Sequence, residues 1–164
     1  MKYKIEIKWA LIFSLFSLLW ILGEKVAGFH DPNRNLTLQP FVTMLILIPN
    51  LLIYYWALKE KKTKYFGGRM NFAQGFKTGI FITGVITILT PLVQYIISTI
   101  ITPDYFENVI QYLVSHNEMT LEDARAQFNL KNYMITSTVF GAIFGIITSA
   151  IMAFLLKNKA QNGR

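Results

Sequence analysis

The side chains able to do chemistry are few in this chain, and most lie outside its long apolar runs. His116, Glu118, Glu122 and Asp123 bring imidazole and carboxylates into one short stretch. Their spacing matches no strong metal-binding pattern. Thr120-Leu121-Glu122-Asp123 reads instead as a helix start, a capping-box variant with Asp at the fourth place. His30, Asp31, Asn33 and Arg34 are the one polar group that an enzyme acting on lipid-linked substrates could use. A turn before Pro32 explains His30-Asp31 as well. The chain has no cysteine, which removes disulfides, thiolate metal sites and Cys nucleophiles. There is no HExxH pattern, no phosphate-binding glycine loop and no GxSxG elbow, and Gly67-Gly68 reads as a turn. No catalytic residue, metal or cofactor is expected.

Two polar residues stand inside apolar runs: Asn50 beside Pro49, and Gln94 one turn after Pro91. Amides at hydrocarbon depth face protein rather than lipid. Pro49 frees the carbonyl of Leu45 and Pro91 that of Thr87, so both prolines mark kinks. Asn50 and Gln94 then either satisfy the opened carbonyls or form a polar seam that contacts a solute or a partner.

The elements that must position these residues are set by how hydrophobicity is distributed. Apolar residues make up 53% of the chain and charged residues 15%, but the apolar ones are pooled into four blocks with nearly all charges between them. A helix needs ~20 apolar residues to cross a bilayer. The blocks predict an all-α integral membrane protein with four transmembrane helices, at about 9–29, 41–58, 72–101 and 134–156. Tyr54-Tyr55-Trp56 before Lys59-Glu60-Lys61-Lys62 has the form of an interfacial anchor. Asn71 with Gln74 predicts a capped start for the third span. The loop 102–132 predicts two short external helices that part near His116-Asn117, the first opened by Thr102-Pro103-Asp104.

Charge orients these spans. Lys2, Lys4 and Lys8 precede the first, the loop 59–71 holds Lys59, Lys61, Lys62, Lys64 and Arg69, and the tail holds Lys157, Lys159 and Arg164. The acids collect in the other two connections, with Glu24, Asp31, Asp104, Glu107, Glu118, Glu122 and Asp123. Basic segments resist translocation, so both termini and loop 59–71 are expected in the cytoplasm of a multi-pass inner-membrane protein. The net charge of +7 is then a topology signal, with attraction to anionic lipid headgroups secondary, and nucleic acid is not expected as a partner. The rival is a cleaved signal peptide over residues 1–28, which Glu6 and the Trp-rich core argue against.

Small residues recur at four-residue spacing in the fourth span, at Ser137, Gly141, Gly145, Ser149 and Ala153. The third span carries a matching row at Gly75, Gly79, Thr83 and Thr87. Such rows let helix backbones approach closely in lipid. They predict packing of these two helices within one chain, or homo-oligomerisation through the same groove. No span holds an ionisable residue at mid-depth, which disfavours an ion-coupled transporter, and the two halves are not repeats.

Asn71 to Gly79 (NFAQGFKTG), the exit Ile101-Thr102-Pro103-Asp104-Tyr105 and the turn Met119-Thr120-Leu121-Glu122-Asp123 resemble the bacterial membrane family named domain of unknown function 4199, over residues 3 to 157. The resemblance implies a four-span membrane protein and brings no activity and no functional residue. Two functions stay open. The chain is expected to be a non-enzymatic subunit or scaffold packed against another membrane protein; the alternative is a small transporter or channel component that uses the kinked polar seam of the second and third spans.

Overall fold

The computed structural model describes residues 3–31 and 38–158. Those residues form helices, turns and loops, with no strand among them. In chain order the elements are α1 (Lys4–Val26), α2 (Gln39–Met44), α3 (Leu47–Lys64), α4 (Phe72–Ile96, continued as a π turn over Ile97–Ile101), α5 (Tyr105–Ser115), α6 (Leu121–Gln127) and α7 (Leu130–Leu156). Four helical stretches, Lys4–Val26, Gln39–Lys64, Phe72–Ile101 and Leu130–Leu156, are long and apolar enough to cross a membrane. Their outward faces expose Ile48, Ile88, Ile100, Phe140 and Phe154. An apolar surface of that extent calls for lipid rather than water around it.

The termini of the helices follow local chemistry. The Asn71 side chain accepts from the Gln74 amide at 2.9 Å while the Gln74 side chain accepts from the Asn71 amide at 2.9 Å, a complete capping box. Thr120 accepts from the Asp123 amide and Asn129 from the Asn132 amide in the same manner. Asn117 takes a left-handed φ of 55° where α5 gives way to α6. The first helix begins at Lys4 rather than Trp9, which draws Glu6 into it, and ends at Val26 rather than Phe29, with Glu24 in its last turn. The second span is interrupted at Leu45–Ile46, where Pro49 cannot donate to Leu45 and the Ile48 amide bonds that carbonyl instead, at 3.2 Å.

α4 and α7 run antiparallel and in direct contact. A Cβ added at Gly79 would stand 2.5 Å from the Ser149 Cβ, one at Gly145 would stand 2.5 Å from the Thr83 Cγ2, and one at Gly75 would stand 3.0 Å from the Ala153 Cβ. These three rungs hold the backbones at a distance only glycine permits. The next glycine of the α7 row has nothing against it: a Cβ at Gly141 would meet nothing within 4 Å. α1 and α3 complete the bundle against this pair.

The two ends of the bundle differ. One, here the basic end, is closed by a dense core of Ala10, Tyr54, Ala57, Leu58, Met70 and Ile82. It is also tied by ionic and polar links. Lys61 on the last turn of α3 reaches Glu6 of α1 at 2.7 Å, both side chains at most 3% exposed. Beside it Glu60 pairs with Lys8, and accepts from the Trp9 indole at 2.6 Å and from Lys64 at 3.0 Å. Lys62 donates to the Leu156 carbonyl at 2.8 Å, which caps the end of α7. Asn158 and Met70 exchange two bonds, at 2.8 and 2.9 Å. At the other, acidic end, α5 lies across the bundle with Val109 and Ile110 buried beneath it and its Phe106 ring 4.9 Å from that of Tyr133 on α7.

Candidate functional site

The four spans line a half-open cavity of about 510 Å³. Asn50 of α3 and Gln94 of α4 both line it, from separate helices. Ser137, Gly141 and Gly145 line it from α7, and Gly145 together with Gly75, Gly79, Thr83, Ser149 and Ala153 supplies the rungs of the helix contact. The one small-residue row of α7 therefore does two jobs: half of it joins the helices and the other half leaves room between them. Thr87, the fourth member of the α4 row, bonds its own helix at the Thr83 carbonyl, 2.8 Å away.

The wall is apolar for the most part and holds no charged residue. On the side toward the basic end it closes on a polar ladder. Tyr54 shares a hydrogen bond with Thr83 at 2.9 Å, Thr83 stands 3.3 Å from the Ser149 hydroxyl, and all three side chains are buried. Gln94 donates to the Ser98 hydroxyl at 2.9 Å. The Asn50 Oδ1 is buried without a hydrogen-bond partner. Of the two amides, one bonds a serine one turn along its own helix and the other keeps an unsatisfied oxygen.

Toward the acidic end the cavity is capped by a cluster that composition gave no hint of. Glu24, 3% exposed, accepts from the Trp20 indole at 2.6 Å and from the Thr43 hydroxyl at 2.8 Å, and lies 3.2 Å from the His30 Nε2. Gln39 donates to Thr43 at 2.8 Å and accepts from the Tyr105 hydroxyl at 3.2 Å. Glu24 and Thr43 stand one turn beyond the cavity residues Ile21 and Ile46 on the same two stretches of chain. The cluster thus ties α1, α2 and α5 together across that mouth. Burial, with the Tyr133 phenol alongside, pushes the Tyr105 hydroxyl well above its ordinary range, so it remains a donor at neutral pH. The signal was present in the sequence as Trp20/Glu24 and Gln39/Thr43, each pair four residues apart on one face, but only the fold brings the pairs together.

The other polar candidates are accounted for locally. His116 bonds the Tyr112 carbonyl at 2.9 Å and stacks on the Tyr112 ring, and the Asp123 carboxylate accepts from the hydroxyl of Thr120, the cap of α6. Among the described residues no three His, Cys, Asp or Glu side chains gather where a metal could sit. His30 faces Glu24, while Asn33 and Arg34 lie outside the described residues. A second recess of about 270 Å³ between His30, Asp31, Thr102 and Tyr105 adjoins the cluster.

No curated protein and no solved structure matches the chain. The model of one family, described as a protein of unknown function (DUF4199), matches residues 8–158. With nearly all of its length matched, helix caps and spans included, the chain belongs to that family of unknown function.

Proposed function

We propose that the chain is a small carrier, or the ligand-binding component of one, that holds an uncharged apolar molecule at bilayer depth and does no chemistry on it. One observation carries the reading: Asn50 and Gln94, remote in sequence, line a single cavity whose volume of about 510 Å³ falls in the range of small-molecule pockets. The uncharged wall speaks for a neutral cargo. A scaffold that docks to another membrane protein through its small-residue rows has less in its favour, because those rows on α4 and α7 meet each other.

Gly141→Phe tests the reading, because the position has open space around it and a ring there would enter the cavity. Mass spectrometry of protein purified in mild detergent is expected to find an apolar molecule enriched with the wild type and lost from the variant, at an unchanged melting temperature. No enrichment over bulk lipid in the wild type would defeat the proposal.

The basic end is assigned to the cytoplasm, with both termini, on the strength of Lys8, Lys59, Lys61, Lys62 and Lys64 against Glu107, Glu118, Glu122 and Asp123 at the other end. Reporter fusions at Tyr65 and His116 are expected to report inside and outside respectively; the reverse pattern would invert the molecule.

A further inference from the structure

We infer that the cavity fills sideways from the bilayer, through a window between α3 and α7, and that its cargo is therefore a molecule dissolved in lipid hydrocarbon. The inference rests on the cavity being a ligand site and adds the route of entry and the class of molecule that the route admits.

The exposure of the wall locates the opening. α1, α3, α7 and α4 follow one another around the bundle, each packed on the next. The lining residues contributed by α1 and α4 are buried or half-buried throughout. The exposed members of the lining fall on the other two helices: Leu47 and Leu51 on α3, and Gly141, Phe144, Ile147 and Ile151 on α7. On the second span Ile46 and Asn50 are half-buried, while Leu47 and Leu51, one residue on and about 100° round the helix, are exposed. Thr148 and Ile147 show the same change on α7. Each helix passes from cavity wall to outer surface within one residue step. That is a rim.

The rim has a frame at both ends. Nearer the basic end, Tyr54, Ala57 and Leu58 share one core with Met152 and Ala153, and Lys62 donates to the Leu156 carbonyl. Nearer the acidic end, α5 bridges the second span and α7. Its Tyr105 donates to Gln39, and its Tyr105 and Phe106 rings stand 6.1 and 4.9 Å from that of Tyr133. Between these frames no hydrogen bond joins residues 46–54 to α7 among the described residues.

Access from water is closed at each end, by the core with its Tyr54 ladder and by the buried Glu24 cluster. A solute arriving that way must break buried polar contacts. One arriving from hydrocarbon passes only apolar side chains at the rim, and exposed side chains change rotamer within nanoseconds. An ionised headgroup has no counter-charge at that rim, so it stays outside.

The test places the full-length protein in phosphatidylcholine vesicles with an excess of 3-trifluoromethyl-3-phenyldiazirine, a small apolar carbene precursor that dissolves in the bilayer. The probe is left to exchange with any occupant, then illuminated, and adducts are mapped by mass spectrometry. Adducts are expected on Ser17 and Thr90 of the inner wall as well as on the outward-facing Ile88 and Ile100. Leu51→Trp combined with Ile147→Trp narrows the rim at two surface positions. It is expected to lower the yield on Ser17 and Thr90 several-fold and to leave that on Ile88 and Ile100 unchanged. If the double variant does not fold, the wild-type map decides alone. Undiminished labelling of the inner wall in the variant overturns the sideways route, and so does a wild type labelled only on its outward faces. In either case an apolar molecule enriched with the purified wild type leaves the cavity reading standing, and its absence removes that reading too.

Discussion

Lys61→Met is expected to lower the stability of the folded protein by about 3–5 kcal/mol, because it strands a carboxylate in the bundle. Glu6 and Lys61 meet at 2.7 Å, and neither side chain is more than 3% exposed. The Glu6 Oε2 already lacks a hydrogen-bond partner, so water does not reach it to compensate for a lost cation. Glu6→Leu is expected to produce a loss of the same order, this time through the buried ammonium. The pair itself is a different matter: a buried ion pair exchanged for apolar side chains of similar volume is often near neutral. Glu6→Leu combined with Lys61→Met should therefore recover most of what either loses alone. Thermal unfolding of the four proteins in one detergent makes the double-mutant cycle. Losses that simply add would show that the two groups do not act as a pair.

Gly79→Ala and Gly145→Ala are each expected to destabilise the protein by about 1–3 kcal/mol or more through overpacking, with separation of α4 from α7. The new methyl group at Gly79 would meet the Ser149 Cβ at 2.5 Å and its Cα at 3.0 Å, so the opposing backbone must move. At Gly145 the obstacle is Thr83, which is held by Tyr54 and cannot turn away without breaking a buried hydrogen bond. Gly84→Ala lies on α4 as well, but nothing stands within 4 Å of the added carbon. It should leave the melting temperature unchanged or raise it slightly, since alanine favours the helix. A loss at Gly84 equal to those at Gly79 and Gly145 would trace the effect to lipid contact, and not to the rungs between helices.

The same contact explains why the cavity exists. Three rungs draw α4 and α7 together over the half of the bundle nearer the basic end. Beyond Thr83 and Gly145 a Cβ at Gly141 meets nothing within 4 Å, and Pro91, which cannot donate to Thr87, lies in that stretch of α4. Filling the gap at Gly141 and tightening it at Gly145 should therefore differ in kind. The first removes ligand and spares the fold, and the second damages the fold.

Hydrophobicity and helix caps were legible from the chain because they are local. Apolar blocks of spanning length, the Asn71–Gln74 capping box and the two helices that part at Asn117 follow from neighbouring residues and from the medium around them. Small residues four apart could be seen to share a helix face, because that periodicity belongs to the helix alone. What no linear reading supplied was where each row would stop touching its partner, which made Gly145 a rung and left Gly141 with nothing against it.

Charge was the least legible property. Glu6, Glu24 and Lys61 read as flanking charges of solvated connections, yet all three are buried. Each needs partners distant in sequence, Glu6 with Lys61 and Glu24 with Thr43. Burial of a charge is stable only when a complementary group arrives from elsewhere in the fold, and that meeting is decided by packing. Asn50 and Gln94 differ locally, because Ser98 one turn further along the same helix takes a bond from Gln94 and no described donor reaches the Asn50 Oδ1. What tertiary structure alone decides is that the two amides line one cavity.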